Sequence, residues 1–263
     1  MKLKIMTFNL RIHVESDGDN AWPNRTEAVA KTIRKHDPGI IGIQEGLHGM
    51  LTDLEPLLPE YAWVGEGREG GTDGEHVAIF YKKGEWEVVE TGNFSLSEKP
   101  EQLGVKSWNT SHARMCTWAV LRSAAGNRIA MFNTHLDHES EEAKLKGMAL
   151  IRERMRDLRT RTGLPVILTG DFNAVPEHDV VTGLEREGYL NAYSVFRETD
   201  REVGGTVHHF RGGESGETID YIFLTPEWRL HTVVIDRERY EGRYPSDHYP
   251  VVAEVTLREE RGG

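Results

Sequence analysis

An α/β architecture of two mixed β-sheets packed face to face, with helices outside, is what this 263-residue sequence predicts. Three observations carry it. Runs rich in β-branched and aromatic residues recur along the chain, two convincing helical patterns interrupt them, and hairpin-like turns at Gly84 and Gly126 join strands directly. Regular alternation of strand and helix would instead indicate a single parallel sheet.

The alternating run Lys2-Leu3-Lys4-Ile5-Met6-Thr7-Phe8 reads as the first strand and ends at polar Asn9. A helix follows Asn24, placed to cap it with Glu27 three residues on; Val29 and Ile33 share its apolar face and Pro38 lies beyond its end. Ile41-Gly42-Ile43 is a second strand opening into Gln44-Glu45. Further along, Arg114 precedes a strand over 117–121, and another ends in Asn133-Thr134-His135. Residues 141–161 form the second helix, with Leu145, Met148, Ile151, Met155 and Leu158 as a core-facing stripe and Gly163 and Pro165 near its end. Val166-Ile167-Leu168 is a buried strand that opens into Gly170-Asp171-Phe172-Asn173. In Thr218-Ile219-Asp220-Tyr221-Ile222 a carboxylate interrupts an apolar strand, and Tyr244-Pro245-Ser246-Asp247-His248-Tyr249-Pro250 leads into the last strand, Val251-Val252-Ala253.

Composition bounds the function. Hydrophobic residues make up 38% and charged residues 29%, which excludes collagen-like and largely disordered classes, and one domain over 1–263 is expected because nothing divides the chain. No apolar stretch approaches the roughly 20 residues that span a bilayer, so no membrane partner is expected. The net charge of −11 disfavours broad attraction to a polyanion such as duplex DNA. Cys116 is the only cysteine, and the strand pattern directly after Met1 leaves no room for a secretory signal, so a reducing cytoplasm is the expectation; a monomer is expected, with a dimer and the number of metal ions left open. Segments 65–74 and 261–263 read as mobile.

Polar residues at strand ends sit on the rim of a sheet, and several rims together make a cleft. Asp171 and Asn173, two apart, can point the same way. An ionised Asp220 in an apolar strand is costly unless paired. His248 would resolve that cost, and the pairing would orient its imidazole and raise its proton affinity. Taken alone, Ser246-Asp247-His248 also reads as a capped turn before a strand.

Six segments occur in an order that resembles the endonuclease/exonuclease/phosphatase superfamily: Thr7-Phe8-Asn9, Gln44-Glu45, Asn133-Thr134-His135, Gly170-Asp171-Phe172-Asn173, Ile219-Asp220-Tyr221 and Ser246-Asp247-His248. That superfamily includes deoxyribonucleases, sphingomyelinases and inositol polyphosphate phosphatases. The resemblance implies a four-layered α/β sandwich and a divalent-metal-dependent hydrolase of phosphate esters. By the same resemblance, Glu45 is similar to the principal Mg²⁺ ligand, assisted by Asn9 and Asp247. Asp171 is similar to the group that orients or deprotonates the attacking water. Asn173 and His248 would contact phosphate oxygens, with Asp220 paired to the histidine. His135 resembles the second family histidine, Glu75 its carboxylate partner, and Arg114 a phosphate-facing arginine of some relatives. Hard oxygen donors without a Cys or His cluster favour Mg²⁺, with Mn²⁺ as the alternative.

Other residues carry plainer readings. His36, His48, His178 and His231 read as surface or helix-end residues, and the charge run 152–161 as the solvated face of a helix. Asp137 and His138 read as a solvated turn, a second metal or substrate site being the alternative; for His208 and His209, lining the pocket stays open. Trp22, Trp108 and Arg68 fall in loops near the expected rim, where an aromatic either stacks on substrate or anchors its loop. The substrate expected is a phosphorylated small molecule. A nuclease of single-stranded or damaged DNA or of RNA is the alternative, and a non-catalytic binding protein the third reading. Specificity is expected in loops 65–74 and 96–113, since one core can serve many substrates.

Overall fold

The computed structural model describes residues 1–198, 202–240 and 242–258. The first part of the chain forms β1 (Lys2–Asn9), α1 (Thr26–His36), β2 (Ile40–Gln44), β3 (Gly46–Leu47), α2 (His48–Leu54), β4 (Tyr61–Val64), β5 (Glu75–His76) and β6 (Ile79–Lys82). The middle adds β7 (Trp86–Ser95), β8 (Met115–Ser123), β9 (Arg128–His135), α3 (Glu141–Thr162) and β10 (Val166–Asp171). The remainder forms α4 (Asp179–Arg186), β11 (Leu190–Asn191), α5 (Ser194–Glu198), β12 (Asp220–Leu224), β13 (Trp228–Ile235) and β14 (Val251–Leu257).

Among the described residues these strands build two six-stranded sheets, ordered β13-β14-β1-β2-β6-β4 and β11-β12-β10-β9-β8-β7, besides the β3-β5 ribbon. Each sheet has one parallel pair at its centre, β1 with β2 and β9 with β10, and antiparallel strands on either side. A helix makes each parallel crossover, α1 in one sheet and α3 in the other. The sheets face each other, β1 crossing β10 and β12, and β2 crossing β9. On the outer face of the first sheet Val29, Ile33, Leu51 and Leu54 of α1 and α2 pack against Phe8, Ile41 and Ile43. Met148, Ile151, Met155 and Leu158 of α3 join the core of the second. Helix, sheet, sheet and helix make the four layers that the sequence implied.

The two sheets pack tightly at Gly42. A Cβ there would lie 2.1 Å from Thr169 Oγ1 and 2.5 Å from Asn133 Oδ1, so only glycine fits. Asn133 bridges the gap: its side chain donates to Ile43 O (2.7 Å) and Ala78 O (3.0 Å), and accepts from Gln44 Nε2 (2.7 Å) and Thr169 Oγ1 (2.9 Å). Every polar atom of this buried amide is satisfied, which keeps a polar layer between apolar faces affordable.

Several local expectations change. Asn24 closes a short 3₁₀ turn, and Arg25 occupies the N-cap of α1 without a side-chain cap. Ser140 does cap α3, accepting from Ala143 N, and Gly163 ends it in the left-handed region at φ 67°. Leu145 leaves the core stripe and is exposed. Gly126 turns the β8–β9 hairpin, whereas the turn at Gly84 carries the chain from one sheet to the other. Segment 65–74 is tied down by backbone bonds such as Gly67 N to Gly71 O (2.8 Å), and to loop 96–113 by Gly104 N to Arg68 O (2.8 Å). Residues 261–263 lie outside the described residues. No helix among the described residues is long and apolar enough to cross a membrane.

Candidate active site

Strand register gathers the polar strand ends at one edge. Asn9 pairs with Gln44 across β1 and β2, so Glu45 follows beside it. Asp171 stands opposite both His135 on β9 and Asp220 on β12. His248 lies just before β14, whose Val251 pairs with Thr7 of β1, and Glu75 pairs with Leu47 in the small ribbon. The C-terminal ends of both parallel pairs therefore face one cleft of about 400 Å³, the usual location of ligands in open α/β sheets. Glu45, Glu75, Arg114, His135, Asp171, Asn173, Asp247 and His248 all line it, as do Arg11, His112, His138 and His209.

Asp171 is central. Its Oδ2 accepts from Asn9 Nδ2 (3.0 Å), lies 3.6 Å from His135 Nε2 and 3.8 Å from His248 Nδ1, while Oδ1 accepts from Asn173 N (2.9 Å). Burial and the neighbouring Asp220 charge push its carboxyl upward despite those bonds. Asn9 Nδ2 also donates to Glu45 Oε1 (2.9 Å), and its Oδ1 accepts from Arg11 N (2.9 Å). The Asn9 amide nitrogen thus ties two carboxylates together, and its oxygen is turned toward the backbone of the next loop.

His248 Nδ1 lies 2.9 Å from Asp220 Oδ2, the pairing expected from the sequence. Burial alone would lower the imidazole, but Asp220, Asp171 and Asp247 outweigh it and hold its pKa well above the usual range. His135 goes the other way: burial, reinforced by Arg114, lowers it far below. Asn173 Nδ2 donates to His135 Nε2 (3.1 Å), which leaves the ring proton on Nδ1, 3.9 Å from Glu75 Oε2. Glu75 pairs instead with Arg68 (2.7 Å), and at 3.9 Å it makes no hydrogen bond to His135, so the expected pairing is an approach only. One buried site therefore pushes its two imidazoles in opposite directions.

The donors suit a hard divalent cation. Glu45, His135 and Asp171 bring ligand-capable atoms within 4.8 Å of one another, as do Asp171, Asp220 and His248. Asp247 is raised by burial and by the Glu45 charge, a sign of carboxylates crowded without enough positive charge. Backbone strain collects here as well: Arg11, Glu45, Asn173 and His209 all have φ between 47° and 60°. Non-glycine residues hold that conformation only where surrounding contacts dictate it.

Arg25 and Arg11 join the site without a signal in the sequence. Arg25 is fully buried and donates to Leu10 O (2.8 Å), Arg11 O (3.0 Å), Asn20 O (2.5 Å) and Pro245 O (2.7 Å), joining the loop after β1 to the segment that carries Asp247. Burial lowers its pKa to about 10. Arg11 pairs with Asp17 (3.0 Å) and approaches Asp247 (3.9 Å). Nothing in the local pattern distinguishes either arginine from a surface one.

Asp137 is buried, against the expectation of a solvated turn. It accepts from Thr110 Oγ1 (2.6 Å), from Ser111 N (3.2 Å) and Oγ (3.0 Å), and from the backbone of Glu139 (3.1 Å) and Ser140 (2.8 Å). His209 lines the cleft, whereas His208 stacks on Tyr249 with centroids 3.9 Å apart and is pushed down to about 4 by burial. Trp22 is a buried loop anchor bonded to Asp53 (2.9 Å), and Lys146 sits over Trp108. His36 pairs with Asp236 at the end of α1, His178 caps α4, His231 meets Thr256, and His48 begins α2. Arg152, Arg154, Arg159 and Arg161 pair with Glu187, Glu101, Glu227 and Glu90 along the outside of α3.

The chain is 31% identical to a mannosyl-6-phosphatase of Bacteroides thetaiotaomicron VPI-5482, with a TM-score of 0.90 over 97% of this chain and 100% of that one. It is 32% identical to an endonuclease/exonuclease/phosphatase from Bacteroides vulgatus, with a TM-score of 0.88 over 98% and 100% of the two chains. Human nocturnin is 22% identical over 303 residues, covering 99% of this chain and 67% of that protein; against rat nocturnin the chain spans 66% of the relative's length. The human nocturnin catalytic domain, 19% identical with a TM-score of 0.78 over 97% of this chain and 93% of that one, shares the fold. The sequence profile of the Endonuclease/Exonuclease/phosphatase family matches residues 6–248, nearly the whole span of the site, and the chain belongs to that family.

Proposed function

We propose that this chain is a divalent-metal-dependent phosphoesterase that hydrolyses a phosphate ester of a soluble, sugar-sized metabolite by in-line attack of water. The observation that carries the reading is the buried Asp171, fixed by Asn9 and Asn173 and flanked by Glu45 on one side and the Asp220–His248 pair on the other. Asp171 orients the attacking water and accepts its proton; its upward-shifted carboxyl is a better base than a solvated one. His248, aimed by Asp220, contacts a phosphoryl oxygen, and Asn173 does so by giving up one of its amide bonds to His135 Nε2 and Leu136 O. Glu45 and Asp247 would hold Mg²⁺ or Mn²⁺, while Asn9, its oxygen bound by Arg11 N, serves to tie Glu45 to Asp171 through its amide nitrogen. When bound, such an ion polarises a phosphoryl oxygen and steadies the leaving oxygen.

The 31%-identical mannosyl-6-phosphatase supports a sugar phosphate as substrate, and the net charge of −11 speaks against a scanning duplex nuclease. The test is hydrolysis of hexose 6-phosphates, p-nitrophenyl phosphate, bis-p-nitrophenyl phosphate, single-stranded DNA and RNA with Mg²⁺, Mn²⁺ or EDTA. Phosphate release from sugar phosphates that EDTA abolishes, with nucleic acids uncut, is the expected result. Preferred cleavage of DNA or RNA would replace the reading with a nuclease, and no turnover of any substrate with either metal would leave a binding protein.

A further inference from the structure

We propose that His112 and His138, set in place by Arg114, form an anion-binding wall of this cleft that selects phosphate monoesters over diesters. The inference rests on the phosphoesterase reading above and gives it a substrate class.

The wall is built from loops. The His112 and His138 rings stack with centroids 6.0 Å apart and planes at 26°, and both line the cleft that holds Asp171 and His248. Arg114 Nη2 donates to His138 Nδ1 (3.0 Å). Because that nitrogen accepts, the ring proton resides on Nε2, where it can be donated. The same Nε2 lies 3.4 Å from Glu139, whose side chain is 66% exposed and free to exchange that contact for a bound anion.

Arg114 is only 6% exposed, and its buried Nε has no hydrogen-bond partner. Asp137 faces it at 3.6 Å, but that carboxylate already accepts from Thr110, Ser111, Glu139 and Ser140. A guanidinium kept out of water with its counter-charge engaged elsewhere is poised to receive an anion. This in a chain of net charge −11 is a local reversal of sign, placed inside an otherwise acidic cleft.

Monoester and diester differ in the property such a wall reads. A phosphate monoester carries about 1.5 to 2 negative charges near pH 7 and three unsubstituted oxygens. A diester carries one charge, and an ester arm replaces the third oxygen. With the phosphorus centre near Asp171, Asn173 and His248, the extra charge and oxygen of a monoester meet the imidazole donors and Arg114, whereas a diester offers them an uncharged arm.

The experiment compares the unsubstituted protein with His112→Ala and His138→Ala, both changes at residues exposed enough to spare the fold. The readouts are the ratio of kcat/KM for p-nitrophenyl phosphate to that for bis-p-nitrophenyl phosphate, and calorimetric binding of inorganic phosphate in EDTA. Loss of one charge-assisted hydrogen bond should lower the monoester-to-diester ratio about tenfold and weaken phosphate binding comparably. An unchanged ratio with unchanged phosphate affinity would overturn the wall. Should the unsubstituted protein hydrolyse neither ester, the phosphoesterase reading fails, and phosphate binding still decides the wall: weaker binding in the variants supports it, equal binding rejects it.

Discussion

Two parts of the cleft are made in different ways. Asn9, Glu45, His135, Asp171 and Asp220 stand at strand ends, placed by the register of two sheets, whereas His112, Arg114 and His138 are set by loops around Asp137. The strand-built part concentrates buried carboxylates that need a cation. The loop-built part concentrates donors that need an anion. A phosphate ester bound with a divalent metal would answer both demands, with the chemistry on the sheets and recognition in connections that can vary.

The sharpest way to break this contrast is Asp171→Asn. Turnover should fall about 10²- to 10⁴-fold, the contribution of a positioned base. The melting temperature should hold or rise, because one of several crowded buried carboxylates is removed. Steady-state kinetics beside a thermal melt checks both, and a kcat within tenfold of the parent would remove Asp171 from the reaction.

Arg25→Met tests whether the strand-built part depends on a single loop clamp. It leaves four backbone carbonyls without their donor and should cost about 3–5 kcal/mol, read from the urea midpoint. A loss below about 1 kcal/mol would mean that the loops bearing Arg11 and Asp247 hold themselves in place.

The loop-built part has its own signature in pH. Burial alone would raise the Asp137 carboxyl, but hydrogen bonds from Thr110, Ser140, Ser111 and Glu139 outweigh burial and hold it well below the usual carboxylate range. The folded state therefore binds this proton less readily than the unfolded chain. Its contribution to stability is complete above the ordinary carboxylate pKa of about 4 and is lost as pH falls below that value. Urea unfolding between pH 3 and 7 should show the decline, and Asp137→Asn should flatten it at a cost of about 1–3 kcal/mol at neutral pH. Parallel pH slopes in the two proteins would assign the acid sensitivity to other groups.

The difference in construction also governs what could be read in advance. Asp171 and Asn173 follow a buried apolar strand and a glycine, and His248 leads into another strand, so their positions at a rim were evident from hydrophobic pattern alone. The pairing of Asp220 with His248 followed from the cost of an isolated buried charge, and the 2.9 Å contact meets it. Asp137 reads as solvated because it opens an Asp-His-Glu-Ser stretch before a helix, yet its burial depends on Thr110 and Ser111, 27 and 26 residues earlier. The spacing of His112 and Arg114 offered a faint signal, two polar residues either side of a buried alanine at a strand entrance. It gave no reason to join them to His138. Leu145 fits the three- and four-residue spacing, yet it lies off the buried face that Lys144, Gly147, Met148, Ile151, Met155 and Leu158 share, and it is exposed.

By itself the sequence determined the kind of architecture, the strand ends that bear chemistry, and the superfamily, because each is written in local periodicity and in short segments whose order survives along the chain. Only the tertiary structure decided the glycine-tight contact of the sheets at Gly42, the clamp made by Arg25 and the His112–Arg114–His138 wall. These depend on which distant residues share a few ångströms of space, and contacts between residues tens to hundreds of positions apart leave no period or motif in the chain that makes them.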